Sequence, residues 1–79
     1  YASQIKVFPN PATTIVEIES VYAINSWKLI DVLGKEVASS KYLESSTNLI
    51  IDVRSFDAGL YFLEIEYDGV QVVKQLVIE

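Results

Sequence analysis

The chain has 79 residues, a length that fits one domain. It contains neither cysteine nor histidine, which excludes disulfide bridges and argues against a structural zinc site. The net charge of −5 argues against binding to nucleic acids or anionic lipid surfaces, because both need clustered basic side chains. We expect the fold to depend on apolar packing, since 51% of the residues are hydrophobic.

The chain opens on Tyr1, contains no methionine and shows no charged-then-apolar leader. No apolar run approaches the ~20 residues that a membrane-spanning helix needs. We therefore expect the chain to be a processed or excised piece of a longer protein, which carries its targeting leader elsewhere.

The first predicted element is a short strand over residues 5–8, and it ends at Pro9-Asn10-Pro11. Neither proline can donate a ladder hydrogen bond, so strand pairing must stop there or lie on an edge. We expect the Asn10 side chain to accept a hydrogen bond from a backbone amide just beyond Pro11, in an Asx-type turn. The tripeptide is thus predicted to be a stiff corner.

Two more strands follow in the first half. Residues 14–20 place Val16 and Ile18 on one face and glutamates on the other, which is typical of a sheet with one solvated face. Residues 26–32 form the next strand, and we interpret Trp27 as a core residue rather than an exposed binding platform.

A hairpin is predicted at Gly34, which can adopt the positive φ of a tight turn with a bulge. Residues 35–39 return from this turn as a strand. The serine-rich segment 39–48 is predicted to be a loop or an irregular edge connection.

The second half shows clearer alternation. Strands are predicted over residues 48–53, 60–67 and 70–79, with a turn over 54–59 and an Asp-Gly hairpin at positions 68 and 69. The inward face of the last strand stays open, because it consists either of Val73 and Val77 or of Val72, Leu76 and Ile78.

About seven short strands with regularly spaced turns predict an all-β fold, an immunoglobulin-like antiparallel β-sandwich. Tyr61 begins a strand two residues after the turn at Gly59, as in the tyrosine corner of such sandwiches. We predict that its hydroxyl bonds back to the chain near that turn. The alternative is a tyrosine half-buried on a strand without this bond.

The sequence supports no catalysis, because the commonest general base and the strongest nucleophile are both missing. Glu17 with Glu19, and Glu64 with Glu66, alternate along strands and are interpreted as solvated faces rather than catalytic carboxylate pairs. Asp57 does not lie in an Asp-rich loop of calcium-binding spacing. We predict no enzyme, no cofactor, no metal site and no small-molecule substrate.

Four blocks in order, "IKVFPNPATT", "LIDVLGKEV", "IIDVRSFDAGLYFLEI" and "VVKQLVIE", resemble the type A C-terminal sorting domain of the type IX secretion system of Bacteroidota. The resemblance spans essentially the whole chain, residues 1–79, as one domain. The chain departs from the family pattern in ending on Glu79 rather than on a basic residue. The recognition candidates that the resemblance supplies are Pro9, Asn10, Pro11, Gly34, Lys35, Gly59, Tyr61, Lys74, Leu76, Val77 and Ile78.

The resemblance implies that the domain acts as a sorting signal rather than as a catalyst. Such a domain follows a cargo protein fused to its N-terminus, folds in the periplasm, and is read by the outer-membrane translocon and its shuttle proteins. A sortase-like signal peptidase then normally removes it, and the cargo stays at the cell surface or is released outside the cell. For this chain, cleavage is expected before or within residues 1–4, and the Pro-Asn-Pro corner is expected to hold that junction in a fixed pose.

Two other functions remain open at this point. One is an immunoglobulin-like, carbohydrate-binding or spacer module of a surface enzyme, which would need a row of exposed aromatic side chains. The other is an adhesive module that works by strand addition, for which the apolar last strand is the argument.

Overall fold

The computed structural model describes residues 4–40 and 46–79, and all named elements in this part are β-strands. The all-β prediction is confirmed. No helix in these residues is long and apolar enough to span a membrane. The seven strands are β1 (Ile5–Phe8), β2 (Ile15–Ile24), β3 (Ser26–Asp31), β4 (Glu36–Ser40), β5 (Ser46–Asp52), β6 (Gly59–Tyr67) and β7 (Val70–Ile78).

The strands form two antiparallel sheets that pack into a sandwich. Sheet A has the order β1-β2-β5, and sheet B has the order β4-β3-β6-β7. Fifteen buried hydrophobic residues form one core between them, and all seven strands except β4 contribute to it. Trp27 is half-buried and packs against this core, in agreement with its interpretation as a core residue.

The inward faces follow from strand alternation. On β6, Leu63 and Ile65 are fully buried, while Glu64 and Glu66, which alternate with them, face outward. The open question about β7 is answered by its pairing with β6, which places Leu76 opposite Tyr61. Val72, Leu76 and Ile78 therefore face the core, and Val73 and Val77 lie on the outer face of sheet B.

Most strand boundaries lie within one residue of the sequence prediction, and the larger differences are at the end of β2 and the start of β5. Strand β2 continues to Ile24 with the same alternation, since Val16, Ile18, Ser20 and Ile24 are all buried, while its register with β5 shifts between Glu19 and Ile24. Strand β5 begins at Ser46, and β4 ends at Ser40. The predicted serine-rich loop is therefore shorter than expected, and its middle, residues 41–45, lies outside the described residues.

The two ends of the sandwich carry different parts of the chain. At one end, Tyr22 contacts both the Gln4 side chain and the ring of Tyr67, which stacks on Tyr22 with centroids 4.2 Å apart. The Asp68–Gly69 hairpin lies at this end, and its positive φ angles of 48° and 75° confirm the tight turn. At the other end, Ala12 forms a parallel bridge with Ile78. Gln4 and the end of β7 therefore lie at opposite ends.

Candidate recognition site at one end of the sandwich

The sequence blocks that stand far apart along the chain meet at the end of the sandwich that holds the last residues of β7. Strand β1 ends there at Phe8, β3 ends there at Asp31, β5 ends there at Asp52, and β6 begins there at Gly59. We call this region the motif end and define it as residues 9–12, 31–36, 52–59 and 77–79.

The Pro-Asn-Pro corner binds the edge of the last strand. Asn10 donates from Nδ2 to the Gln75 carbonyl oxygen at 3.0 Å, and its Oδ1 accepts from the Val77 N–H at 3.0 Å. The Asn10 amide thus pairs with β7 as the backbone of a neighbouring strand would. The predicted Asx-type turn is wrong, because the side-chain oxygen serves a strand 67 residues away instead of a local amide.

Ala12 continues this edge pairing with its own backbone. Its N–H donates to the Val77 carbonyl oxygen, and its carbonyl oxygen accepts from the Glu79 N–H, both at 2.8 Å. Both X-Pro bonds of the corner, Phe8–Pro9 and Asn10–Pro11, are cis. Together Asn10 and Ala12 cover the outer edge of β7 from Gln75 to Glu79, and we call these four hydrogen bonds the edge clamp.

The hairpin between β3 and β4 is held by the carboxylate of Asp31. Its Oδ1 accepts from the N–H groups of Leu33 and Lys35, both at 2.9 Å. Two backbone bonds join the same residues, from Asp31 N–H to the Lys35 carbonyl and from Gly34 N–H to the Asp31 carbonyl. Gly34 has φ of 85°, and the register shifts at Ile30, so the predicted hairpin with a bulge is confirmed.

Tyr61 forms the predicted tyrosine-corner bond. Its hydroxyl donates to the Asp57 carbonyl oxygen at 2.7 Å, and its ring lies 6.4 Å from that of Phe56 in a tilted arrangement. Burial raises the pKa of the Tyr61 hydroxyl, and the carboxylates of Asp57 and Asp31 raise it further. Tyr61 therefore stays neutral through the physiological range and ties the turn over 54–59 to β6.

The turn that precedes Tyr61 begins with a paired carboxylate. Asp52 accepts hydrogen bonds from the backbone N–H of Arg54 at 3.0 Å and from its guanidinium at 2.6 Å. These bonds lower the pKa of Asp52 to about 2. Both side chains are exposed, so the pair shapes the turn more than it stabilises the fold.

The hydrogen bonds at the motif end hold its turns in fixed conformations. Nowhere in residues 4–40 and 46–79 do three or more acidic, cysteine or histidine side chains come together in a way that could hold a metal ion. The carboxylates of Asp31 and Asp52 are each used to fix a turn. Such an arrangement can present a rigid surface to another molecule.

A family described as the secretion system C-terminal sorting domain matches the chain over residues 6–79, nearly its full length. The chain belongs to this family. The family carries the sorting signal of type IX secretion, which implies export to the cell surface or the extracellular space. The chain matches no curated protein.

The candidate residues of the sorting domain fall into three groups by position. Six candidates are exposed at the motif end, and Val77, on the outer face of β7, belongs with them. Three other candidates are buried in the core. Lys74 is half-buried in the middle of β7, opposite Leu63. The exposed six are Pro9, Asn10, Pro11, Gly34, Lys35 and Gly59, and the buried three are Tyr61, Leu76 and Ile78.

Two features of this site are not among the sequence candidates. Ala12 completes the edge clamp, and no local pattern marks it because its partners are more than 60 residues away. Val32 and Leu33 are exposed apolar residues at the hairpin tip. The spacing Asp31-x-Leu33-x-Lys35 could have indicated this tip, because an aspartate that caps two following amides fixes a turn.

Proposed function

We propose that residues 1–79 direct the protein fused to their N-terminus across the outer membrane through the type IX secretion machinery of a Bacteroidota cell. The domain would pass through the periplasm in a folded state, be read by the translocon and its shuttle proteins, and be removed by a sortase-like peptidase. The observation that carries this proposal is the family match over residues 6–79. The meeting of the four sequence blocks at one end of the sandwich supports it.

The geometry supports separate roles for the two ends of the sandwich, with cargo attachment at one end and recognition at the other. Gln4 accepts a hydrogen bond from Tyr22, which stacks on Tyr67 at the end opposite the last residues of β7. A cargo attached before residue 4 would therefore extend away from the motif end and leave it accessible. The edge clamp attaches the Pro-Asn-Pro corner to β7. Cleavage before or within residues 1–4, and a role of the corner in holding that junction, are separate parts of this proposal.

The candidate residues take two roles in this proposal. Tyr61, Leu76 and Ile78 are buried, so they would hold the shape of the motif end rather than touch a partner. Pro9, Asn10 and Pro11 would do so by clamping the edge of β7. Gly34 and Lys35, at the exposed hairpin, and Val77, on the outer face of β7, are better placed for direct contact.

Two observations within residues 4–40 and 46–79 weigh against the immunoglobulin-like carbohydrate-binding alternative. Trp27 packs against the core, and Tyr22 and Tyr67 stack on each other. An open depression of about 230 Å³ near the start of β1 contains no aromatic side chain, and its lining residues are Gln4, Lys6, Glu19, Ser20 and Val21. Glycan binding by the isolated domain would favour this alternative over the sorting function.

The sorting function is tested by fusing a periplasmic reporter enzyme to the N-terminus of residues 1–79 in a type IX-competent bacterium. We expect reporter activity in the medium and on the surface of intact cells of the competent strain. In an isogenic strain that lacks the translocon, we expect no extracellular reporter activity. Retention of the reporter in the periplasm of the competent strain would contradict the proposal. The intact mass of the exported reporter tests cleavage, which we expect to leave no residue beyond position 4.

A further inference from the structure

The hairpin tip at the motif end exposes two adjacent large apolar side chains. Leu33 is 90% exposed and Val32 is 62% exposed. The value for Leu33 is the highest among the large hydrophobic residues in the part of the chain that the structure describes. An exposed leucine alone is common on protein surfaces, so the argument depends on its surroundings.

The backbone of the tip is rigid. Four hydrogen bonds at 2.9–3.0 Å join Asp31 to Leu33, Gly34 and Lys35, and two of them end on the Asp31 carboxylate. A segment already fixed in one conformation loses little entropy when it binds, so its apolar side chains contribute nearly their full burial to association. The rigid backbone of the tip therefore favours binding through its exposed apolar side chains.

The tip continues into an apolar strip on the outer face of sheet B. The register pairs Asp31, the last residue of β3, with Tyr61, and Val32 follows Asp31 at the edge of the sheet where Leu60 pairs with Val77. The neighbouring row pairs Ile30 with Phe62. We call these residues the outer strip: Ile30, Val32, Leu60, Phe62 and Val77. Its members are half-buried or exposed, and contiguous exposed apolar surface of this kind marks interaction sites.

The surrounding charge limits what can cover this surface. The motif end carries five acidic side chains against two basic ones, and the whole chain has a net charge of −5. Two copies placed face to face would bring like charges together, and an anionic lipid surface would repel the domain. A protein with an apolar pocket bordered by lysine or arginine is the complementary partner.

We propose that Leu33 and Val32 insert into such a pocket on an outer-membrane component of the type IX machinery, with the outer strip packing beside it. This inference rests on the proposed sorting function and names the surface through which the machinery reads the folded domain.

The test compares apolar-to-charged variants in the reporter fusion. Leu33→Asp should lower the exported reporter by about tenfold, the effect expected when a central anchor of an interface is lost. The matched control is Val21→Asp at the opposite end of the sandwich, where Val21 is 67% exposed, and its export should stay at the wild-type level. Both purified variants should unfold within a few degrees of the wild-type domain, since neither position is buried.

A photo-crosslinking residue reports the contact directly. Placed at position 33, p-benzoylphenylalanine should crosslink to an outer-membrane protein of the secretion machinery in living cells. The same residue at position 50, where Ile50 is 63% exposed on sheet A, should not.

The possible outcomes separate this inference from the proposed function. Failure of the unmodified fusion to leave the cell would overturn the sorting function and this inference with it. Normal export of the wild type and of Leu33→Asp alike would overturn only this inference. Dimerisation lost in Leu33→Asp, or binding of the isolated domain to phosphatidylglycerol vesicles through Leu33, would assign the tip to another occupant and equally overturn it.

Discussion

The two hydrogen bonds that Asn10 contributes to the edge clamp predict a measurable loss of stability when this side chain is removed. Asn10→Ala removes two hydrogen bonds at 3.0 Å, to the Gln75 carbonyl and from the Val77 N–H. A typical hydrogen bond contributes about 0.5–1.5 kcal/mol, and the exposure of Asn10 places these two in the lower part of that range. We expect the free energy of unfolding to fall by about 1–2 kcal/mol, which corresponds to roughly 5–15 °C in Tm for a domain of this size.

The assay combines urea unfolding with amide hydrogen exchange by NMR. In Asn10→Ala the Val77 amide should lose protection, while amides in the β3–β6 pairing keep theirs. Asn10→Asp distinguishes the effects of the two bonds. At pH 7 the carboxylate still accepts from the Val77 amide, but its second oxygen replaces the donor and is repelled by the Gln75 carbonyl oxygen. Asn10→Asp should be at least as destabilised as Asn10→Ala, yet retain more protection at Val77.

The matched control is Asn48→Ala on β5, whose side chain is exposed and makes none of the hydrogen bonds identified among the described residues. It should change the free energy of unfolding by no more than about 0.5 kcal/mol. Equal stability of Asn10→Ala and the wild type, with unchanged exchange at Val77, would refute the contribution of Asn10 to the edge clamp.

Three further changes test the core and the turns. Tyr61→Phe should cost about 1 kcal/mol by removing the bond to the Asp57 carbonyl. Because the pKa of Tyr61 is raised in the folded state, the wild type should also lose more stability than Tyr61→Phe as the pH rises above about 10, and identical alkaline unfolding of both proteins would contradict this. Leu76→Ala, at a fully buried site, should cost about 2–5 kcal/mol in urea unfolding, and a loss below 1 kcal/mol would contradict the assigned inward face of β7. The pKa of Asp52 is about 2 in the folded state against 3.8 ordinarily, so its pairing with Arg54 stabilises the fold above about pH 4 and is lost as the pH falls towards 2. Thermal scans should show a shallower acid dependence in Asp52→Asn, and parallel curves would speak against the pairing.

The features that the sequence predicts well are local ones. The alternation of β6, the Asp68–Gly69 turn and the bond of Tyr61 to Asp57 each involve residues within a few positions of one another. Their geometry follows from side-chain periodicity and turn chemistry, which a single sequence displays directly.

The features that the sequence predicts poorly depend on partners that are distant along the chain. The oxygen of Asn10 could satisfy a local amide or one from another strand, and only the folded arrangement brings Val77 within reach. The inward face of β7 was ambiguous because both faces are apolar, and the register with β6 decides it. The aspartate spacing around Leu33 indicates a turn, but the 90% exposure of the Leu33 side chain is visible only in the folded structure.

The central claim is that the folded domain is read at the motif end, away from the point where cargo is attached. The most direct measurement is the fraction of reporter outside the cell for two fusions, with the same reporter placed before Tyr1 or after Glu79. The first fusion should be exported and the second retained, although both should contain a folded sorting domain by protease protection. Equal export of the two fusions would contradict the claim.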